Sequence, residues 1–166
     1  MNRLKKLSLV LLASTALTTT TMASDAYKYL SIGANSATVA NEDATGYAIG
    51  WGLNKYYDSG LFFGIGFEIT AISLEAETVT GYGTDLRIGY TEAIQNHAAA
   101  LYGIVSAQGQ DIANGSAYGF GYGAGVSYRI TEWLETDLEY KTYSMTHESS
   151  IEYDSDTIAL NLKFTY

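Results

Sequence analysis

The sequence contains no cysteine and no proline in its 166 residues. Without cysteine the chain forms no disulfide and offers neither a thiolate metal ligand nor a cysteine nucleophile. Proline removes a donor from a β-ladder, so its absence is compatible with long uninterrupted strands. Basic residues are scarce: nine Lys and Arg stand against 18 Asp and Glu, a formal net charge of -9. A nucleic-acid-binding role is not expected, because too few basic groups are present to neutralise a row of phosphates.

Charge of either sign is low. Asp, Glu, Lys and Arg make up 16% of the chain, against about a quarter in ordinary soluble domains. Aromatic residues reach 13%, including 15 Tyr, and the chain also contains 17 Gly. Few charges together with many aromatics argue against a disordered chain. The length allows a single domain.

The N-terminal residues have the pattern of a secretory signal peptide. Three basic residues within positions 3–6 precede a short apolar run at 7–17 and then a cleavage site with small residues before it. The run is shorter than the roughly 20 residues of a transmembrane helix. We expect removal of residues 1–23, with cleavage after Ala26 as the alternative, to leave a mature domain of 24–166. Because the removed segment holds three basic residues and no acidic one, the mature net charge would be -12.

Beyond this segment the dominant hydrophobic period is two residues, which is typical of strands. In the last ten residues, every even-numbered residue is apolar or aromatic, and every odd-numbered one is small or polar. The same alternation predicts eight strands, near 27–36, 44–54, 61–74, 78–91, 97–109, 116–130, 133–147 and 155–166. The fifth segment is apolar on both faces, so its register stays open.

The two faces of the predicted strands differ in kind. One carries large aromatic and aliphatic side chains, and the other carries Gly, small residues and charges. Glycine and charges cannot fill a dry core, so we expect them to line a polar lumen while the aromatics face lipid. The predicted lumen charges are Glu68, Asp85, Arg87, Arg129, Asp137, Glu139, Lys141 and Lys163. The alternative, a secreted soluble β-sandwich, predicts extraction from membranes without detergent.

Aromatic residues also recur at the ends of alternate strands. Trp51, Tyr90, Tyr128 and Tyr166 are separated by 39, 38 and 38 residues, and Trp133 falls in an adjacent predicted turn. In an up-and-down barrel this spacing predicts one shared membrane boundary, which Tyr and Trp favour.

The predicted connections fall into two sets. Short turns at 54–60, 91–96 and 130–133 are expected to face the periplasm. The opposite segments, near 36–43, 75–77, 110–115 and 146–154, contain eight acidic residues and no Lys or Arg. We expect them to be short acidic extracellular loops.

The signal peptide, the eight Gly- and Tyr-rich strands and the aromatic C-terminus resemble the small outer-membrane β-barrel proteins. These include the transmembrane domain of outer membrane protein A and the opacity-type porin-family barrels. The resemblance covers the mature chain and implies an all-β fold: an eight-stranded antiparallel up-and-down transmembrane barrel of a Gram-negative-type cell. It also implies a C-terminal signal read by the barrel assembly machinery, here Ile158, Leu160, Leu162, Phe164 and Tyr166. The family usually ends on Phe, so Tyr166 departs from it. Because the sequence stops with strand eight, no periplasmic cell-wall-binding domain is expected.

The predicted lumen charges allow two functional interpretations. They could form a salt-bridged plug that fixes the strand register, or they could line a narrow channel for small solutes or ions. The interior of an eight-stranded barrel is just wide enough for side chains, and buried charges must be paired. We therefore favour the plug.

Two weaker candidates lie near the seventh and eighth strands. His147 and Ser149 share a strand face, as in some outer-membrane lipid hydrolases, but the other groups that acyl transfer requires are not evident. Glu152, Asp154 and Asp156 could offer oxygen ligands to Ca²⁺, although a solvated acidic loop is the simpler interpretation. We predict no enzymatic activity, no cofactor and no metal site.

Together these patterns predict an integral outer-membrane barrel with a structural or surface-interaction role. Its expected partners are outer-membrane lipid and lipopolysaccharide, the barrel assembly machinery and an unidentified surface ligand. A narrow porin-like channel is the alternative, and a lipid-modifying enzyme is the third possibility.

Overall fold

The computed structural model describes residues 26–40, 42–74, 78–94, 97–112 and 115–166. The predicted signal peptide at 1–23 lies outside the described residues. Eight strands make up most of the described chain: β1 (Ala26–Val39), β2 (Glu42–Tyr56), β3 (Leu61–Ser73), β4 (Thr78–Ile94), β5 (His97–Ile112), β6 (Gly115–Arg129), β7 (Leu134–His147) and β8 (Glu152–Thr165). Within these ranges no helix has the length and apolar character needed to cross a membrane.

The strands form one closed antiparallel barrel. Each strand pairs with its neighbour in sequence, and β1 pairs with β8 to close the sheet. The predicted eight-stranded antiparallel barrel is therefore confirmed. Closure leaves no sheet edge, so the strands pair all around the barrel, as a protein surrounded by lipid requires.

The pairing register makes the strands tilt. A path through directly paired residues starts at Tyr29 on β1, runs once around the barrel and returns to β1 at Val39, ten residues later. With a rise of about 3.3 Å per residue and a strand spacing of about 4.8 Å, this stagger corresponds to a tilt of about 40°. The tilt decides which side chains from distant strands meet in the interior.

The barrel has two ends, which we name by the chain. The terminal end is where β1 begins and β8 ends, and it also holds the connections after β2, β4 and β6. The distal end holds the connections after β1, β3, β5 and β7.

The distal connections are shorter than the sequence indicated. Five acidic residues assigned to loops lie within strands instead: Glu42, Asp43, Asp111, Glu152 and Asp154. The ladder continues to these positions, because backbone pairing does not require an apolar side chain. Val39 pairs with Glu42, and Thr146 pairs with Glu152. The hydrophobic alternation ended earlier than the hydrogen bonding, so it underestimated the strands.

Burial alternates along the strands in the sense expected for a barrel in lipid. On β5 the even-numbered residues Ala100, Tyr102 and Ile104 are buried, whereas Leu101 and Val105 are 65% and 62% exposed. This settles the register that the sequence left open. Many large apolar side chains are exposed on the outer face, whereas charged side chains are buried in the interior. This distribution is the reverse of that in a soluble protein.

Interior glycines make room for interior tyrosines. The tyrosine hydroxyl of Tyr29 occupies the space that a Cβ on Gly52 or Gly66 would need, at 2.5–2.6 Å. The Tyr102 ring lies in the same way against Gly125, at 2.6 Å. A narrow barrel can therefore enclose aromatic rings only where the facing strand has no side chain.

We expect Gly125→Ala to destabilise the barrel, because the new methyl group would overlap the Tyr102 ring in a filled interior; overpacking of this kind costs about 1–3 kcal/mol. Urea unfolding in lipid vesicles measures the effect. Gly103→Ala is the matched control, because Gly103 lies on the outer face of β5 with its nearest neighbouring atom 4.0 Å from an added Cβ. Equal unfolding free energies for the two variants would contradict this account.

Candidate functional site in the barrel interior

The interior is identified by contacts between strands that are not neighbours. Lys141 on β7 lies 3.2 Å from Glu68 on β3, and four strand steps separate these residues around the wall. Arg87 on β4 contacts Glu139 on β7 at 3.1 Å. Such pairs can meet only through the space that the barrel encloses.

Lys141 and Arg87 form the centre of an ion-pair network. The Lys141 ammonium contacts Glu68 and Asp85 at 3.2 Å and Glu139 at 3.7 Å. The Arg87 guanidinium contacts Asp85 and Glu139, each at 3.1 Å. Apart from Glu68, these side chains are at most 5% exposed. Each buried cation therefore faces at least two carboxylates, which offsets the cost of removing the charges from water.

A second group of charges continues the network towards the terminal end. Lys163 pairs with Asp137 and lies 3.8 Å from Glu135. Arg129 reaches the same Glu135 at 3.5 Å, with its side chain 23% exposed. All eight charges predicted for the lumen thus take part in interior ion pairs, which form two neighbouring groups.

Tyrosine hydroxyls connect the charged groups. The Tyr102 hydroxyl lies 3.0 Å from Asp137 Oδ2 and 2.9 Å from Glu139 Oε1. Arg87 donates to the Tyr29 hydroxyl at 2.5 Å. These hydroxyls give groups that are already ion-paired a further hydrogen-bond partner, and Tyr102 links the two groups of charges.

Sequence reasoning missed several members of the network. Glu135 alternates with Leu134 and Thr136 in the same strand as Asp137, so its position was available from the pattern. The sequence did not indicate that Tyr29, Tyr102 and Tyr143 face the interior, because tyrosine is also common on the lipid-facing side of a barrel.

The lumen is not polar throughout. At the terminal end, Phe62 stacks on Tyr56 at 5.4 Å and meets Tyr102 edge-on at 5.4 Å. Arg129 lies over the Tyr56 ring at 4.9 Å. At the distal end a buried apolar cluster contains Ala37, Val39, Ala44, Ile72 and Val79. Aromatic and apolar side chains therefore enclose the charged layer from both ends, which the alternation of Gly and charge did not indicate.

The aromatic residues predicted for one membrane boundary are all exposed on the outer face. Trp51, Tyr90, Tyr128, Trp133 and Tyr166 range from 37% to 79% exposed. The Tyr90 ring lies against Gly60 in the turn after β2, and Trp133 stacks on Phe164 at 6.4 Å. These contacts lie at the terminal end.

Trp51 lies further from the terminal end than the other four aromatics. Trp51 pairs with Phe67 on β3, and Tyr90 pairs with Leu61 on the same strand. Phe67 lies six residues further along β3 towards the distal end than Leu61. The stagger between strands compensates for less than half of this six-residue separation. The Trp51 ring stacks on Phe67 at 5.8 Å. Regular spacing in the sequence does not by itself give equal height, because β2 continues to Tyr56.

The C-terminal alternating residues all face outward, four of them on β8 and Tyr166 directly after it. Ile158, Leu160, Leu162, Phe164 and Tyr166 are 36–79% exposed. The strand ends against β1, where the Tyr166 backbone N–H donates to the Lys28 carbonyl at 3.0 Å. A reading of this segment by the assembly machinery stays a prediction.

His147 and Ser149 do lie together, in the turn between β7 and β8. The His147 Nδ1 atom is 2.7 Å from Ser149 Oγ and accepts the Ser149 backbone N–H at 3.1 Å. The His147 backbone N–H also donates to the Ile151 carbonyl, closing the turn. These contacts are local to the turn and explain why the two side chains lie together.

Carboxylates at the distal end are held by hydroxyls. The pairs are Thr38–Asp43, Ser116–Asp111, Ser144–Asp154 and Tyr140–Asp156, at 2.9–3.3 Å. A hydroxyl donor orients a carboxylate but leaves its charge in place. In the part of the chain that the structure describes, no group of three His, Asp or Glu side chains could hold a metal ion.

Comparisons with known proteins agree with this architecture. The family model of the outer membrane protein beta-barrel domain matches residues 9–166. No curated protein sequence matches the chain. Among solved structures, the fold is similar to Neisserial surface protein A, with 15% identity, a TM-score of 0.57 and coverage of 86% of this chain and 98% of that one. It is also similar to Ail, the attachment invasion locus protein of Yersinia pestis, with 15% identity, a TM-score of 0.52 and coverage of 86% and 99%.

Replacing Lys141 by Met should destabilise the barrel strongly, because three carboxylates would lose a shared cation. Breaking a buried ion pair by removing one partner costs about 3–5 kcal/mol. Tryptophan fluorescence during urea unfolding in lipid vesicles measures the loss. Lys28→Met, on an exposed side chain of β1, should change stability by less than about 1 kcal/mol. Similar unfolding midpoints for both variants would mean that the interior ion pairs do not hold the barrel together.

Proposed function

The chain belongs to the outer membrane protein beta-barrel domain family, and from this membership we propose that it acts as a closed structural barrel of the outer membrane. In this proposal residues 1–23 direct export, and the C-terminal strand is read by the barrel assembly machinery. The single observation that supports a closed barrel best is the ion-pair network that crosses the lumen from β7 to β3 and β4.

The network argues for a plug because its side chains occupy the axis of the barrel. Lys141 reaches carboxylates on the opposite wall, so the path along the axis is filled by paired side chains. The aromatic residues at one end and the apolar cluster at the other add two further obstructions. An ion would have to displace buried charges and then cross apolar layers, which is costly at both steps.

A narrow channel is the second candidate function. A channel would require the ion-pair network to open. Opening would begin most easily at Arg129, whose side chain is 23% exposed at the terminal end. Its contacts with Glu135 and with the Tyr56 ring would have to break.

Enzymatic activity is not part of the proposal. The His147–Ser149 pair is engaged in its own turn.

Bilayer recordings distinguish the plug from the channel. We expect no stepwise conductance above the lipid background for the native chain or for Arg129→Ala. The substitution should instead lower the unfolding free energy by about 1 kcal/mol, since its ion pair and its cation–π contact are only partly buried. Lys28→Ala controls for loss of a positive charge elsewhere. Conductance that rises in Arg129→Ala would favour the channel, and an unchanged conductance and stability would contradict both candidates.

We also propose that the distal end meets lipopolysaccharide at the outer surface. The segments near this end contain acidic residues and no Lys or Arg, so they would associate with the phosphates of lipopolysaccharide through divalent cations. The same end would be the site for a protein ligand at the cell surface.

The lipopolysaccharide contact can be tested by thermal stability in vesicles. With Mg²⁺ present, lipopolysaccharide should raise the unfolding temperature of the native barrel, and a chelator should remove the gain. Asp154→Asn with Asp156→Asn should lose at least half of it, because fewer carboxylates remain to share the cations. Asp58→Asn with Glu132→Gln, at the terminal end, is the matched control. A full gain in the distal double variant would refute the contact.

A further inference from the structure

Towards the distal end, the inward side chains of several strands change from charged to neutral polar to apolar. On β3 the inward side chains are Glu68, then Thr70, then Ile72. On β5, Gln108 is followed at the distal end by Ile112, which packs against the apolar cluster. Each strand passes from charged or polar side chains to apolar ones. Neutral polar side chains therefore occupy the interior from the ion pairs up to the distal apolar cluster.

Five atoms of this neutral polar region have no hydrogen-bond partner within the protein. They are Asn35 Oδ1, Thr70 Oγ1, Gln108 Oε1, Gln110 Nε2 and Ser155 Oγ. All five residues are at most 9% exposed, and they come from four different strands. Buried polar groups nearly always have a partner, either in the protein or in ordered water. Five unpaired groups in the distal half of a closed barrel, from Asn35 up to Ser155, which pairs with Val39 of the apolar cluster, therefore call for partners other than protein atoms.

The distal apolar cluster separates this region from the exterior. Val79 is fully buried, although it is the second residue of β4, and Ile72 is 2% exposed. Val39 and Ala44 complete the closure from β1 and β2, beside the partly buried Tyr153. Apolar constrictions of this kind exclude water and ions because neither is solvated there.

We propose that the neutral polar region is a small hydrated chamber, in which ordered water bridges the five unpaired groups, and that the distal apolar cluster seals it. The chemistry of the groups fits water. Gln110 Nε2 donates, Asn35 Oδ1 and Gln108 Oε1 accept, and the two hydroxyls can do either. Water bonded to two or more such groups is nearly as favourable as a direct hydrogen bond. The apolar side chains of the distal cluster then form the barrier to water and ions at that end. The ion pairs nearer the middle of the barrel connect its strands.

The sign of one substitution tests the hydration. Thr70→Val keeps the shape of the side chain and removes its hydroxyl. In a hydrated chamber the bound water loses a partner, so the urea midpoint should fall relative to Thr80→Val, which makes the same change on the exposed face of β4. In a dry interior the substitution removes an unpaired hydroxyl and the midpoint should rise, which would overturn the proposal. Cross-relaxation between water and the side-chain amide of Gln110, measured by NMR in nanodiscs, should be present and gives a second readout.

Thiol labelling tests the seal, and the absence of native cysteine makes it clean. Ser155→Cys places one thiol at a buried position beside Val39 of the apolar cluster, and Ser149→Cys places one in the exposed turn between β7 and β8. A charged, water-soluble thiol reagent added from the distal side should modify position 155 at least tenfold more slowly than position 149. Adding Val79→Ala to Ser155→Cys should raise its rate at least tenfold, whereas adding Glu68→Gln should not.

Two results would overturn the sealing role. One is rapid labelling at position 155 with the apolar cluster intact. The other is a rate that Val79→Ala leaves unchanged in folded protein, with folding verified by the heat-dependent gel mobility of barrels. A rate raised by Glu68→Gln and not by Val79→Ala would move the barrier to the ion pairs, contrary to the proposal.

Discussion

The pairing of buried charges across a narrow interior is the constraint on which the rest of this structure depends. The strands leave space for side chains and little else, and into it the chain places Lys and Arg residues together with carboxylates. An unpaired charge there would cost several kcal/mol. Lys141 and Arg87 avoid the cost by reaching carboxylates on their own strand and across the barrel. The strands are therefore connected across the lumen by ion pairs, in addition to the backbone pairing around the barrel.

The unusual composition follows from this arrangement. Tyrosine is suited to both faces of the barrel wall, because its ring can contact lipid and its hydroxyl can donate a hydrogen bond to a buried carboxylate. Inside, Tyr102 bonds carboxylates in this way and Tyr29 accepts a hydrogen bond from Arg87, whereas Tyr90 and Tyr166 are exposed outside. Glycine provides the space that the enclosed rings require on the facing strands. Charge is rare because one face of each strand contacts hydrocarbon, and what charge the wall contains is largely confined to the other face.

The ends of the barrel differ from its middle for a physical reason. Charged layers are held in place by paired partners, but they do not by themselves exclude solvent. Rings around Phe62 and the apolar side chains around Ile72 do so. The ion pairs thus fill the middle of the lumen and hold the strands together, while the aromatic and apolar side chains exclude solvent at the two ends, so substitutions in the two sets should have different consequences.

Much of the fold could be read from alternation. The eight predicted strands match the observed ones to within a few residues, because period-two burial leaves a direct trace in the chain. The prediction fell short at the distal end, where polar residues such as Asp43 and Asp154 still pair through their backbones. It also left the register of β5 open, since a strand that is apolar on both faces carries no alternation. The interior tyrosines were missed because the residue type does not reveal its face.

The sequence by itself determined the number of strands, the face that meets lipid on every strand except β5, and all the charges that share the interior ion pairs except Glu135. These are local properties, written in the period of the side chains. Only the tertiary structure decided which charges meet, because Lys141 and Glu68 are 73 residues apart and come together through the ten-residue stagger of the closed sheet. It also decided that apolar side chains close the distal end, since Val39, Ile72 and Val79 become one cluster only when their strands are curved into a barrel.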